Sequence, residues 1–545
     1  MKKALQIHIL LAALCCALLS GCEAKQKSIL DRLDYESLNA KALSEYAMPV
    51  HPGHRGQVPF WNKYAFKFMY APAFDFDDVE GAVGYTFAAE AGGPTFTFES
   101  VNPGSALSKI WTAMPAGKVC LSVQAHDGEG NPLGEPQVRE FEKDSPFAGP
   151  YPSARVDYME AAVRAAEAVH RSIIAQNWLK SPEPDLEYVF NCYPCKIWSA
   201  TIQNECFLAE QKPALRDSAL AVAHIVADCL IRHARPAGSP LAYFPPTYYR
   251  SESGEGGIQG VVDSNINYTM FVEAVCAAKA LLDLYDATGE VRYFNHAFYI
   301  ATTYRKLQAE DGSWPVKVNY FTGQPVADAP CMPTTILQLA QRMLEQYKVT
   351  GFEKMVKRAE TWLKENTIAT FNFNGQFEDV AVDDKAPFQN LTNCTAVDCI
   401  DYLMGKRAPT EQEINACIQM ARFAEDQFTL WNSPINARQS HQENYEPVNR
   451  PFVYEQFEFQ CPIDHSTAGV AMAWMHVYNA TGDLLALAKA KTLIDTIIWA
   501  QDPETGMIPT VLYDKYPFTI WANCSWQSIT ALTRFAKLIS DSEVQ

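Results

Sequence analysis

The stretch CPIDHSTAGVAMA, from Cys461 to Ala473, sets the pattern of this chain, because a short polar loop runs directly into a helix rich in small residues. Five other stretches between Ser181 and Phe535 repeat this junction. They are NCYPCKIWSAT (Asn191–Thr201), DSNINYTMFVEA (Asp263–Ala274), DAPCMPTTILQLA (Asp328–Ala340), QNLTNCTAVDCI (Gln389–Ile400) and WANCSWQSITAL (Trp521–Leu532). Successive copies are roughly 60–70 residues apart, and a repeated unit of this kind cannot bury its apolar face without its neighbours.

A second, more charged and amphipathic helix is predicted beside each junction helix. The six predicted segments are 158–178, 213–234, 293–309, 352–367, 411–430 and 483–500. A helix with few charges suits a wall that is packed on both sides, whereas an amphipathic helix has one solvent face. Six such hairpins predict a closed ring of six inner and six outer helices. The loops before the inner helices would then line a cleft at one end.

The region before the repeats has a different period. Polar and apolar residues alternate in YTFAAEAG (Tyr85–Gly92), TFTFES (Thr95–Ser100), KVCLSVQAHD (Lys118–Asp127) and QVREFEK (Gln137–Lys143). Strands at this spacing predict a small β-sandwich of immunoglobulin or fibronectin type at residues 50–145. The predicted fold class is therefore mainly α, with an (α/α)6 barrel at 150–541 that follows this sandwich.

The first 22 residues have the features of an export signal. Lys2 and Lys3 precede a mostly apolar run that ends at Leu19, and this run is too short for a typical membrane span. The sequence Leu19-Ser20-Gly21-Cys22 resembles the bacterial lipobox. This resemblance implies cleavage before Cys22 and lipidation of that residue, with 23–49 as a tether. The expected location is the bacterial outer membrane, to which a lipid would anchor the exported protein on its periplasmic or outer face.

Composition excludes one class of partner. The chain has 545 residues, is 48% hydrophobic and carries a formal net charge of -18. Nucleic acid is not an expected partner, because no basic run is present to neutralise phosphates. Cys192 and Cys195 form a C-x-x-C pair without a second pair at zinc spacing, so neither a metal nor a cofactor is expected. The sequence does not indicate an oligomeric state.

The repeat architecture, with the phrases DGSWP (Asp311–Pro315) and ETGMIP (Glu504–Pro509), resembles the (α/α)6-barrel, or six-hairpin, carbohydrate-active enzymes. The resemblance extends from about Pro150 onward. A lipoprotein with a β-sandwich before such a barrel is similar to those of polysaccharide-utilisation systems in gut Bacteroidota. The resemblance implies a glycan substrate, but the fold alone does not determine the reaction.

Carboxylates on the predicted cleft loops are the candidates for glycosidic hydrolysis, which needs an acid and a base. The loop from Asn449 to Thr467 holds Glu455, Asp464 and His465 among aromatic residues. Apolar neighbours raise the pKa of a carboxyl group, so Glu455 is the predicted general acid; a structural salt bridge is the alternative interpretation of this residue. Asp464 is a second candidate and also suits a helix cap. His465 occupies a cleft position and is a further catalytic candidate.

A second acidic loop, FEDVAVDDKAPFQNLTN, runs from Phe377 to Asn393. Asp383 or Asp384 is the predicted base that orients the attacking water. A solvated acidic turn is the alternative interpretation of these residues.

Aromatic, cationic and amide side chains on the cleft loops are the predicted substrate contacts. Aromatic rings would stack on sugar faces, and fixed cations would suit a uronate carboxylate or a sulfate. Pairing with loop carboxylates is the alternative for the cations. The predicted contacts are Tyr249, Arg250, Asn267, Trp314, Lys317, Asn393, Arg450, Tyr454 and Trp521.

Three hypotheses follow from the sequence. The first is a glycoside hydrolase acting on a uronate-containing or otherwise decorated glycan, with a β-glucuronidase-like activity favoured. The second is a polysaccharide lyase, in which Asn393, His465 and either Tyr249 or Tyr454 would neutralise the uronate and move its α-proton. The third is a glycan-binding lipoprotein without catalytic activity.

Overall fold

The computed structural model describes residues 28–51, 60–251, 257–326, 329–375, 387–432, 450–513 and 520–544. Helices α1–α16 of the described residues are, in chain order, Tyr35–Tyr46, Ser108–Trp111, Tyr158–Arg171, Ile173–Gln176, Ser199–Gln211, Arg216–His233, Gln259–Asn265, Ala274–Thr288, Val291–Leu307, Thr334–Glu345, Glu353–Leu363, Asn393–Met404, Glu411–Phe428, Asp464–Thr481, Leu484–Ala500 and Ala522–Val544. Strands β1–β10 are Lys67–Phe68, Gly84–Ala91, Thr95–Ser100, Gly117–His126, Pro132–Lys143, Tyr268–Met270, Lys317–Asn319, Thr429–Leu430, Phe452–Gln456 and Phe459–Pro462.

Six helices form a closed inner ring. In order around the ring they are α5, α8, α10, α12, α14 and α16, and each contacts the next. The last, α16, contacts the first, α5, so the ring closes. Five outer helices (α6, α9, α11, α13 and α15) pack against the inner helices that precede them, while α3 packs against α16. The chain therefore forms the predicted ring of six helical hairpins.

The helix boundaries follow from local sequence. Gly289 and Gly482 end α8 and α14 with φ values of 76° and 70°, a left-handed conformation that glycine adopts without a Cβ clash. Helix α13 starts with a capping box, in which Thr410 and Glu413 each accept the other's backbone N–H. Nearly every residue of α14 from Asp464 to Val477 is buried, as expected for a helix packed on both sides.

The N-terminal region does not form the predicted β-sandwich. Residues 60–143 contain one five-stranded sheet, in the order β1-β5-β4-β2-β3. Instead of a second sheet, irregular chain and the short helix α2 cover its inner face. Phe68, Phe74 and Trp111 place their rings 5.5, 5.6 and 6.1 Å from that of Phe141 on β5. Large apolar residues of the connecting segments, Phe74 and Trp111, thus take the place of a second layer.

A backbone clamp joins this sheet to the barrel. The Asp426 carboxylate on α13 accepts the backbone N–H groups of Met69 and Tyr70 at 2.6 and 2.7 Å. Lys67, which is 1% exposed, donates to Asp144 at 2.7 Å and to the Asp426 and Thr429 carbonyls. The sheet is therefore attached to α13 by hydrogen bonds buried away from water.

A buried ion pair lies at the same junction. Lys489 of α15 and Glu425 of α13 are 2.7 Å apart, with side chains 2% and 1% exposed. Glu425 also accepts the hydroxyl of Tyr70 and the indole N–H of Trp431. The Lys489 ammonium lies 4.3 Å from the ring centre of Trp474. Every charge in this cluster is therefore compensated.

None of the described helices combines the length and apolar character needed to cross a lipid bilayer. The predicted export signal and Cys22 lie outside the described residues.

Candidate active site

The starts of the inner helices bring a cation and a carboxylate together at one end of the ring. Lys196 lies in the π-helical turn Pro194–Trp198 before α5. Glu273 lies in the 3₁₀ turn Phe271–Glu273 before α8. The Lys196 Nζ is 3.4 Å from the Glu273 Oε1, and the side chains are 20% and 8% exposed. Both turns belong to the repeated junctions, so neighbouring hairpins supply the two halves of this pair.

His465 lies in the first turn of α14. Burial and the nearby Lys196 ammonium lower the pKa of its imidazole to about 4. The ring is therefore neutral at physiological pH. Its Nδ1 is buried and has no hydrogen-bond partner within the described part of the chain. A neutral ring of this kind is able to accept a proton or a hydrogen bond.

Asp464 is fully buried beside this histidine. Its carboxyl group accepts the backbone N–H of His465 at 2.7 Å and the hydroxyl of Ser528 on α16 at 3.1 Å. Burial raises its pKa well above the usual range, and the Glu455 carboxylate adds to the shift. Because no part of Asp464 is exposed, it does not meet a substrate directly and instead positions the start of α14 against α16.

Glu455 lies on β9 and is partly exposed. Nearby charged groups, that of Glu455 included, affect the pKa of the Cys524 thiol. Burial raises the pKa of this thiol, the carboxylates of Asp464 and Glu455 raise it further, and the Lys196 ammonium opposes them. Charged groups from two junction regions, Lys196 from one and Glu455 and Asp464 from the other, therefore act on one point near the start of α16.

Asn393 and Tyr454 hold the backbone of Glu455 in place. The Asn393 amide donates to the backbone carbonyls of Tyr454 and Glu455. Both Asn393 and Tyr454 are 1% exposed, so neither is available as the predicted substrate contact. Their contacts hold β9 against the first turn of α12.

Trp521 is the predicted aromatic contact that lies at this end and remains partly exposed. Its ring stacks on Phe190 at 4.0 Å and on Tyr193 at 5.5 Å, with interplanar angles of 29° and 24°. Tyr249 is partly buried against Trp198 and His233, with ring centres 5.6 and 5.3 Å away. Phe190 and Tyr193 are buried, so Trp521 is the member of this stack that remains partly exposed.

Trp314, predicted to stack on a sugar, is 1% exposed. Its indole N–H donates to the Tyr304 carbonyl at 2.9 Å. Gly312, with φ of 101°, bends the preceding turn in a way that a side chain would resist. The turn directs the tryptophan into the core, and its predicted role is therefore not supported.

The predicted loop cations already have partners. Arg250 is 3.2 Å from Asp263 in an exposed pair. Lys317 donates to Asn265 at 2.6 Å. Arg450 lies 3.8 Å from the ring centre of Trp499, at the end of outer helix α15.

The remaining predicted residues are Asn267, which the structure describes, and the acidic pair Asp383 and Asp384. Asn267 is exposed, and its carbonyl accepts the Tyr320 N–H at 2.8 Å. Asp383 and Asp384 lie outside the described residues, so the base assigned to them stays a prediction. Sequence reasoning missed the Lys196–Glu273 pair, although both residues stand in the repeated junctions.

A deeper carboxyl group responds to pH near neutrality. Burial raises the pKa of Asp398 on α12 to about 7, with Lys279 opposing and Asp401 adding. A carboxyl whose pKa is higher when folded favours folding at low pH, and this contribution is lost as pH rises from about 4 to about 7. We expect Asp398→Asn to raise the free energy of unfolding at pH 8 by about 1 kcal/mol or more, as measured by urea titration, and to change it little at pH 4.

Asp401→Asn is the matched control on the same helix. Asp401 pairs with His476 and Arg534, and these partners hold its pKa below the usual range despite its burial. Its replacement should destabilise the protein at pH 8. An Asp398→Asn protein that is less stable than the parent at pH 8 would show that the carboxylate is well solvated.

No protein-family model and no curated protein sequence matches the chain. A family 76 glycoside hydrolase from a bovine Bacteroides thetaiotaomicron strain aligns with a TM-score of 0.44 and 11% identity, covering 84% of this chain and 93% of its own. Cellobiose 2-epimerase from Spirochaeta thermophila aligns at 0.49 and 10%, covering 71% and 98%. An unsaturated glucuronyl hydrolase specific for heparin aligns at 0.41 and 8%, covering 70% and 96%. The closed ring of helix contacts in this chain defines its fold independently of these similarities.

Proposed function

We propose that the protein is a glycoside hydrolase acting on a uronate-containing or otherwise decorated glycan, with β-glucuronidase-like activity as the favoured form. One observation carries the proposal: the carboxylates of Glu273 and Glu455 occur at the same end of the ring as Lys196 and His465. The Lys196 ammonium lies 3.4 Å from Glu273 and acts electrostatically on His465. The partly exposed Trp521 at this end supplies an aromatic face for a sugar ring.

In this mechanism Glu455 protonates the glycosidic oxygen as its bond to the anomeric carbon breaks. Glu273, ion-paired to Lys196, accepts a proton from the water that attacks the anomeric carbon. The Lys196 ammonium faces the negatively charged substituent of the sugar. His465, as a neutral ring, accepts a hydrogen bond from a sugar hydroxyl.

The test is incubation of the mature protein with a panel of uronate-containing glycans, following released sugar and ultraviolet absorbance together. We expect release without the absorbance of an unsaturated uronate, and a loss of about 100-fold or more in Glu273→Gln. Asp384→Asn is the comparison variant. If it abolishes release while Glu273→Gln stays active, the base lies in the acidic loop.

Elimination is the second candidate, and the neutral ring of His465 favours it. An imidazole whose pKa is about 4 is unprotonated at neutral pH, and in this reaction it would take the α-proton of the uronate as a weak base. In that case release is accompanied by ultraviolet absorbance and disappears in His465→Ala. Glycan binding without release would instead support the non-catalytic hypothesis.

Export and lipid anchoring through Cys22 belong to the same proposal. The supporting feature is the lipobox-like sequence at Leu19–Cys22. Labelled fatty acid supplied to expressing bacteria should be incorporated into the parent protein and not into a Cys22→Ser variant. Labelling that persists in the variant would contradict the anchor.

A further inference from the structure

Three side chains of different chemistry meet away from the Lys196–Glu273 pair. Cys229 and His233 are one helical turn apart at the end of outer helix α6, and Glu183 faces them from the loop before α5. One potential ligand atom from each of the three lies within 4.8 Å of the others. The His233 Nε2 and the Glu183 Oε2 are 3.6 Å apart.

The separation of the His233 Nε2 and the Glu183 Oε2 suits a shared cation better than a direct hydrogen bond. In a tetrahedral zinc site with bonds of about 2.0–2.3 Å, the ligand atoms are about 3.3–3.8 Å from one another. A separation of 3.6 Å is too long for a hydrogen bond. The His233 Nε2 is buried and has no hydrogen-bond partner among the described residues, and Cys229 is 0% exposed.

The other carboxylate oxygen of Glu183, Oε1, is held by Arg232. Arg232 donates to Glu183 Oε1 at 2.7 Å and to the Pro182 carbonyl at 2.9 Å. These bonds leave Oε2 directed toward His233. The carboxylate is therefore oriented for a ligand before any cation binds.

We propose that Glu183, Cys229 and His233 form a binding site for a divalent cation of the zinc class. A thiolate sulfur, an imidazole nitrogen and a carboxylate oxygen are the ligand types that zinc prefers. Three protein ligands leave one coordination position for water. Binding involves no change in oxidation state, and the thiol proton leaves to solvent as the sulfur–metal bond forms.

The His233 nitrogen is ready for a metal, whereas the Cys229 thiol has to lose its proton on binding. Burial lowers the pKa of His233, against the opposing effect of Glu183, so its nitrogen is available for a metal. Burial raises the pKa of the Cys229 thiol to about 12, with Arg232 opposing. One proton should therefore be released for each cation bound.

The cation would act on the loops at the open end of the ring. It would attach the loop that contains Glu183 to the end of α6. The His233 ring packs against Tyr249 and Trp198, so a metal bond to its nitrogen would also fix the ring on which Tyr249 rests. The role we infer is the positioning of these loops, and it does not depend on the reaction proposed above.

The experiment uses Co²⁺ as a spectroscopic probe, added to the chelator-treated full-length mature protein under reducing conditions. We expect one equivalent to bind, with a thiolate-to-cobalt charge-transfer band in the near ultraviolet that Zn²⁺ abolishes. Cys229→Ala should remove this band. Cys417→Ala should retain it, since Cys417 is an equally buried cysteine of another outer helix.

Glu183→Gln is a ligand variant that should not misfold, because Glu183 is exposed and its replacement leaves the packing of α6 intact. It should weaken Co²⁺ binding by about tenfold or more while the circular dichroism stays unchanged. A parent protein without the charge-transfer band would overturn the proposal. A band that persists in Cys229→Ala, or unchanged affinity in Glu183→Gln, would equally overturn it.

Discussion

Replacing Glu455 with glutamine is expected to lower kcat on a cleavable glycan by about 10²–10⁴-fold, the usual contribution of a general acid. Glutamine keeps the size of the side chain and removes the proton that the leaving oxygen needs. The Asn393 amide holds the backbone of residue 455 and not its side chain, so the strand should stay in place. KM should change little, because the interaction is made mainly in the transition state.

Glu458→Gln is the matched control for this variant. Glu458 follows Glu455 in the same hairpin and is exposed, so its replacement should leave kcat within about twofold, as for a surface change away from the reacting atoms. Equal losses in the two variants would mean that the hairpin matters as a whole. Full activity in Glu455→Gln would remove the proposed acid.

Replacing Lys489 with methionine is expected to lower the free energy of unfolding by about 3–5 kcal/mol. The substitution leaves the Glu425 carboxylate buried without its ammonium partner, which lies 2.7 Å away. The change should appear in a urea titration followed by tryptophan fluorescence. It should also weaken the attachment of the sheet, because Tyr70 donates to the same carboxylate.

Two further variants separate burial from charge. Lys118 and Glu140 form an exposed pair, with side chains 66% and 61% accessible, so Lys118→Met should cost no more than about 1 kcal/mol. A double variant that replaces Lys489 with methionine and Glu425 with leucine should recover part of the loss, since neither charge is then left unpaired. A loss below about 1 kcal/mol in Lys489→Met alone would mean that water reaches Glu425.

The ring of helices could be predicted from the sequence because its determinants are local and repeated. Each junction, such as that from Gln389 to Ile400, carries its own loop and its own run of small apolar residues. Helical periodicity and spacing then define six hairpins. The prediction of a β-sandwich was wrong because alternating polar and apolar residues predict a strand, but not which part of the chain covers its apolar face. In this chain Phe74, from the irregular segment after β1, and Trp111, from the short helix α2, pack on the sheet beside Phe68 of β1.

The candidate site was less predictable because the direction of a loop side chain depends on turn geometry. Trp314 and Trp521 both stand at loop positions, yet the turn at Gly312 directs the first inward. Lys196 and Glu273 are about 80 residues apart and meet only because α5 and α8 are neighbours in the ring. In the sequence, Glu425 and Lys489 look like ordinary charges on amphipathic helices, and only the docked sheet makes them a buried pair.

The packing of α3 against α16 joins the first helix of the six hairpins to the last. During synthesis α3 emerges long before its partner, so the ring cannot close until residues near Phe535 have left the ribosome. The same closure means that a chain permuted to begin at another loop would rebuild every helix contact of the ring.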